Sequence, residues 1–84
     1  MPWNDFFWTE DNLGHIAEHG ITPEDFEQVV NNTGSEERSR SRPDRLAVWG
    51  YTEDGRYIMC IYERLADGMT VVPVTAYETR EPRG

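Results

Sequence analysis

The sequence predicts an α+β domain: an N-terminal helix hairpin packed on one face of a three- to four-stranded antiparallel β-meander. Three observations carry that expectation. Two consecutive sets of helix start and stop signals lie between residues 8 and 31, an Asp-Gly turn joins two runs rich in β-branched and aromatic residues, and a second Gly-containing turn leads into a third such run. With 84 residues the chain is one domain. A domain of this size buries only about 60% of its unfolded surface, so its core is modest.

The first helix is expected from about Glu10 to His19-Gly20. Thr9 supplies an N-cap oxygen, Glu10 and Asp11 place negative charge in the first turn, and Trp8 is positioned to staple onto Leu13. Gly20 then offers the left-handed conformation that closes a helix. In the second helix Thr22 caps, Pro23 occupies the first position where its missing N–H costs nothing, Asp25 completes a capping box, and Ile21 staples onto Phe26. Leu13, Ile16 and Ala17 form one narrow apolar stripe and Phe26, Val29 and Val30 another, both facing a common sheet. Asn31-Asn32-Thr33-Gly34 ends the hairpin, with Gly34 or Asn32 as the left-handed residue.

The meander occupies residues 45–78. Arg45 to Tyr51 and Arg56 to Arg64 are strands joined through Thr52-Glu53-Asp54-Gly55, and Ala66-Asp67-Gly68 turns the chain into Met69 to Glu78. Pro73 predicts a bulge or an open edge in that last strand, because it cannot donate to a ladder. The Thr33 to Arg42 region is a candidate fourth strand, Met1 to Phe7 an arm or a short strand, and Thr79 to Gly84 a polar tail.

Composition narrows the function classes. Sixteen Asp and Glu against eight Arg, with no Lys, give a formal net charge of −8. That balance opposes generic binding to a polyanion, which rests on neutralising phosphates, so the chain alone is not expected to bind DNA. A basic protein partner suits it better. The single Cys60 has no internal disulfide partner, and no apolar run approaches the ~18 residues of a membrane span, so a soluble cytoplasmic protein without membrane attachment is expected.

His15, Glu18 and His19 spell H-x-x-E-H, and Asp11 extends the same helix face. A metal held by Asp11, His15 and His19 lacks a further Cys or His to complete it, so an exposed His15 and a helix-closing His19 are the plainer reading, and no cofactor is expected. Cys60, placed mid-strand among apolar residues, reads as a core thiol. Metal-free RNA cleavage needs less: a base for the 2′-hydroxyl, an acid for the leaving oxygen, and cations for the phosphate. His19 or Glu78 is a candidate base. Arg56, Arg64 and Arg80 are candidate cations, together with a ribbon in which Arg38, Arg40 and Arg42 alternate with serines ahead of Arg45. The same ribbon also reads as a solvated loop, with Pro43 blocking helix.

Glu18-His19-Gly20-Ile21, Thr22-Pro23-Glu24-Asp25-Phe26-Glu27, Gly50-Tyr51-Thr52-Glu53-Asp54-Gly55-Arg56-Tyr57-Ile58 and Val74-Thr75-Ala76-Tyr77-Glu78 follow one another in an order that resembles the BrnT-like toxins of bacterial toxin–antitoxin modules. The resemblance implies a RelE-related fold and a small ribonuclease that inhibits translation, restrained by an antitoxin with a ribbon-helix-helix DNA-binding domain. It carries His19 and Arg56 over as site residues, with Arg80 as a further candidate. This chain has Glu18 where the family has Lys and Tyr77 where it has Arg, and both changes remove positive charge from the site. Two functions therefore follow: a ribonuclease toxin with RNA as substrate, or a non-catalytic acidic protein-binding module on the same fold.

Overall fold

The computed structural model describes residues 5–32, 36–38 and 44–80. The expected left-handed Gly34, the ribbon residues Arg40 and Arg42, and the ends of the N-terminal arm and C-terminal tail lie outside them. In chain order the elements are β1 (Asp5–Phe6), α1 (Glu10–Glu18), α2 (Pro23–Asn32), β2 (Glu37–Arg38), β3 (Leu46–Tyr51), β4 (Tyr57–Arg64) and β5 (Thr70–Glu78).

Local chemistry sets the helix ends. The Thr9 hydroxyl accepts from the Asn12 amide at 3.1 Å, satisfying one of the amides a helix start leaves unpaired. At the other end of α1 the amides of Gly20 and Ile21 donate to the carbonyls of Ala17 and Ile16, a double closure that requires the left-handed φ of 74° found at Gly20. The capping box of α2 is reciprocal: the Asp25 amide donates to the Thr22 hydroxyl at 3.1 Å, and the Thr22 amide to the Asp25 carboxylate at 3.3 Å. No described non-glycine residue has a positive φ, so Asn32 is not a left-handed terminator.

Two local expectations are corrected. Trp8 does not staple Leu13; its ring meets Phe26 edge-on at 5.2 Å and its indole N–H donates to Glu27 at 2.8 Å, while Leu13 remains exposed. Of the expected α1 stripe only Ile16 is buried, and Ala17 is exposed. Both follow from the position of α1, which packs chiefly along β5 and so has little sheet to cover, while α2 lies over β3 and β4.

Among the described residues the sheet has five strands, in the order β1-β5-β4-β3-β2. The β3-β4-β5 meander is antiparallel, and β2 adds the fourth strand through Glu37 opposite Ala47 and Arg38 opposite Leu46. The N-terminal arm contributes a fifth, β1, which pairs parallel to β5 through Asp5 with Thr70 and Phe6 with Val71. Pro73 sits at an irregularity: Thr75 faces Ile61 and Pro73 faces Tyr62, which leaves Val74 as the extra residue of a bulge.

The helices cover one face of this sheet. Ile16, Ile21, Phe26, Val29 and Val30 from the helical layer meet Val48, Ile58, Cys60, Tyr62, Val71 and Ala76 from the strands. Phe26 is the centre, with Phe6, Trp8 and Tyr62 around its ring at 6.3, 5.2 and 6.4 Å in edge-to-face geometry. No helix among the described residues is long and apolar enough to cross a membrane.

Candidate functional site

The structure brings His19, Arg56 and Glu78 to one end of the molecule, where α1 stops, β4 begins and β5 finishes. His19 is the C-cap of α1, its amide bonded to the Ile16 carbonyl, and its exposed imidazole stands 6.1 Å from the Tyr77 ring. Glu78 closes β5 opposite Ile58, and its charge reaches Arg56.

Arg56 is positioned by the turn before it. The Thr52 amide donates to the Arg56 carbonyl at 2.8 Å, the Arg56 amide donates to the Thr52 hydroxyl at 3.1 Å, and Gly55 makes the bend with a φ of 88°. The buried Thr52 hydroxyl in turn donates to Asp54. This geometry aims the guanidinium back across the helical layer. Nη1 donates to the Gly20 carbonyl at 2.7 Å, Nη2 to the Asp25 carboxylate at 3.1 Å, and Nε to the two oxygens of Asp54 at 3.2 and 3.0 Å.

Arg56, expected as a phosphate-holding cation, thus has all three guanidinium nitrogens engaged within the fold. Its donors clamp the end of α1, the start of α2 and the β3–β4 turn together. Electrostatics agree: the hydrogen bond to Asp54 raises the Arg56 pKa against the cost of burial, with further support from the charges of Asp54, Asp25 and Glu78. Asp54 is held below its ordinary carboxylate value by the Thr52 hydroxyl and then by Arg56. Among the described residues, the Arg56 guanidinium thus feels the charges of three carboxylates, Asp54, Asp25 and Glu78.

The remaining cations among the described residues are distributed. Arg45 pairs with Glu63 at 3.3 Å, and Arg64 pairs with Glu36, donates to the Gly68 carbonyl at 3.1 Å and lies 5.8 Å from the centre of the Tyr62 ring. Arg38 sits on the edge strand β2 opposite Leu46, and Arg80 is exposed just beyond β5. Arg38 and Arg45 belong to the edge formed by β2 and β3, not to the end that holds His19. Asp11 and His15 are exposed on α1, and no three potential metal ligands converge among the described residues. Cys60 is fully buried, and burial together with the charge of Asp25 pushes its thiol up to about 12, which leaves it protonated and unreactive at neutral pH.

Sequence reasoning missed the partners of Arg56. Asp25 had a sufficient local explanation as a capping-box carboxylate, and its second role depends on a contact spanning 31 residues. The Tyr77 ring beside His19 was equally unforeseen, although the alternation of β5 contained it. No family model matches the chain, nor does any curated protein or solved structure.

Proposed function

We propose that this chain is a non-catalytic acidic protein-binding module on a BrnT-like fold, acting in the bacterial cytoplasm by holding a small basic partner of the ribbon-helix-helix antitoxin type. The observation that carries the reading is the Arg56 clamp. A site that cleaves RNA needs cations directed at a phosphate, whereas the donors of Arg56 are directed at Gly20, Asp25 and Asp54. Glu78 adds a further negative charge there. The net charge of −8 favours the same conclusion, since long-range charge selects partners and accelerates their encounter.

Expression with a tagged chain tests this directly. A stoichiometric complex with a basic protein, alongside intact RNA and normal growth, is the expected result; RNA decay on induction would end the reading.

One observation favours a second reading, a ribonuclease toxin: His19, Arg56 and Glu78 share one end of the molecule, as the BrnT-like resemblance would require. In it His19 or Glu78 takes the 2′-hydroxyl proton and Arg56 leaves its carboxylates when RNA arrives, with Arg38, Arg45 and Arg80 along the strand. Growth arrest relieved by His19→Ala or Glu78→Gln would establish it. These two substitutions leave the Arg56 clamp intact, so relief reports chemistry and not unfolding.

A further inference from the structure

Charge is divided unevenly along the chain. Residues 1–32, which include β1 and both helices, carry seven Asp and Glu and neither Lys nor Arg, whereas residues 33–84 carry the other nine against all eight Arg. Nearly the whole net charge of −8 therefore sits with the helical layer. Within that layer α1 is the less covered helix. It packs chiefly along β5, and Ile16 is its one buried residue. Glu10, Leu13, Gly14 and Ala17 stand at i, i+3, i+4 and i+7, so they share one flank of the helix, and all four are exposed.

Gly14 is the informative member of that flank. A single exposed leucine, here Leu13 at 37%, is ordinary on a protein surface. A glycine inside a helix weakens it relative to alanine, and nothing in the described fold calls for one at position 14. Its φ is not positive, and a Cβ built there would meet no atom within 4 Å. What the missing side chain does permit is close approach of a backbone from outside, with Leu13 and Ala17 beside it as apolar contacts.

We propose that the Leu13-Gly14-Ala17 flank of α1 is the docking surface for a cationic amphipathic helix of a partner protein, a step that rests on the acidic protein-binding reading above. Charge selects the class of partner. Glu10, Asp11 and Glu18 border the flank, all exposed, and neither helix carries a Lys or Arg to neutralise them. A second copy of the chain docking through the same flank would set these three carboxylates against their own counterparts, and a nucleic acid would bring phosphates to them. Lys or Arg on the edges of a partner helix complements them instead.

Backbone chemistry selects the helix. The interior amides and carbonyls of α1 are bonded within it, so an incoming strand finds no ladder to join. A partner helix arrives with its own backbone already paired and can seat a ridge of side chains beside Gly14. At about 13 Å in length, α1 takes about two and a half turns of that helix.

The test is titration of the full chain with a synthetic Leu/Lys amphipathic helical peptide of about five turns, and with its Lys→Glu counterpart, read by fluorescence anisotropy of the labelled peptide and amide chemical shifts of the protein. The expected result is binding of the Lys peptide alone, with the largest shifts at Leu13, Gly14 and Ala17. Gly14→Gln separates docking from folding. Glutamine favours a helix over glycine, so the melting temperature should hold or rise, while the added side chain keeps the partner helix off and weakens binding by about tenfold or more. Glu10→Gln together with Glu18→Gln should weaken binding and flatten its salt dependence. Leu65→Gln at the β4–β5 turn, a comparably exposed apolar residue elsewhere on the surface, should change nothing. Binding without shifts in α1, or binding untouched by Gly14→Gln, would overturn the proposed surface while leaving the acidic module standing. No binding of the Lys peptide would overturn the surface and the charge-selected module together, and tighter binding of the Lys→Glu peptide or self-association through this flank would overturn the choice of partner.

Discussion

Two residues at opposite ends of reactivity illustrate how position fixes chemistry. Cys60 faces the core between Val48 and Ala76, its cross-strand neighbours, and burial pushes its thiol up to about 12. Ellman's reagent should therefore fail to label the native protein and should label it stoichiometrically in denaturant; fast labelling of the native state would show that the strand opens readily. Arg56 is the reverse, a partly exposed cation whose donors are turned onto the protein itself. Arg56→Ala should lower the melting temperature, because it leaves the Asp25 and Asp54 carboxylates close together with no cation between them, and Arg56→Lys should recover only part of the loss, since an ammonium lacks the planar fork that meets Gly20, Asp25 and Asp54 together. Equal melting temperatures for wild type and Arg56→Ala would remove the clamp from the account.

The helix termini show which elements were legible in the sequence and why. Caps are local: Thr9 with Asn12, Thr22 with Asp25, and Gly20 with Ala17 all lie within three residues, so the chain near each terminus states its own boundary. Thr22→Ala should cost about 1 kcal/mol, and Gly20→Ala about the same because a side chain there must hold the left-handed φ; urea titrations that show no change would contradict the cap assignments. The three long strands were equally legible from their alternation and turns. The two outer strands were not fully so, since each consists of two paired residues, and β1 finds Thr70 and Val71 more than sixty residues away. Nothing within the arm itself specifies a parallel partner. The same distance explains the site: His19, Arg56 and Glu78 were each identifiable by type, but the carboxylates that surround Arg56 became visible only once α2 and the β3–β4 turn met. Phe26 joins these levels, since its ring meets Phe6 and Trp8 from the N-terminal stretch and Tyr62 from β4. Phe26→Ala should therefore cost about 3–5 kcal/mol, enough to threaten the fold of so small a domain.

For the whole molecule, the balance between net charge and specific pairs sets the response to acid. A charge of −8 repels itself, and lowering the pH relieves that repulsion as carboxylates protonate. Specific carboxylates act in the opposite direction. Glu36 accepts from the buried Tyr62 hydroxyl and from Arg64; burial alone would raise its pKa, but these two hydrogen bonds prevail and hold it below its ordinary value of 4.5. A carboxyl whose folded pKa is depressed binds its proton more readily when unfolded. Its stabilising contribution is therefore complete above about pH 4.5 and disappears as the pH falls through the folded value. Thermal melts should accordingly change little, or rise, between pH 7 and 5 as repulsion relaxes, and then fall steeply below pH 4.5. Glu36→Gln should flatten that acidic limb while lowering stability at pH 7, because the amide keeps the shape but loses the charge that Arg64 and Tyr62 were placed to meet. A limb equally steep in Glu36→Gln would assign acid sensitivity to the exposed carboxylates instead, and so to the same surface charge that is proposed to recruit the basic partner.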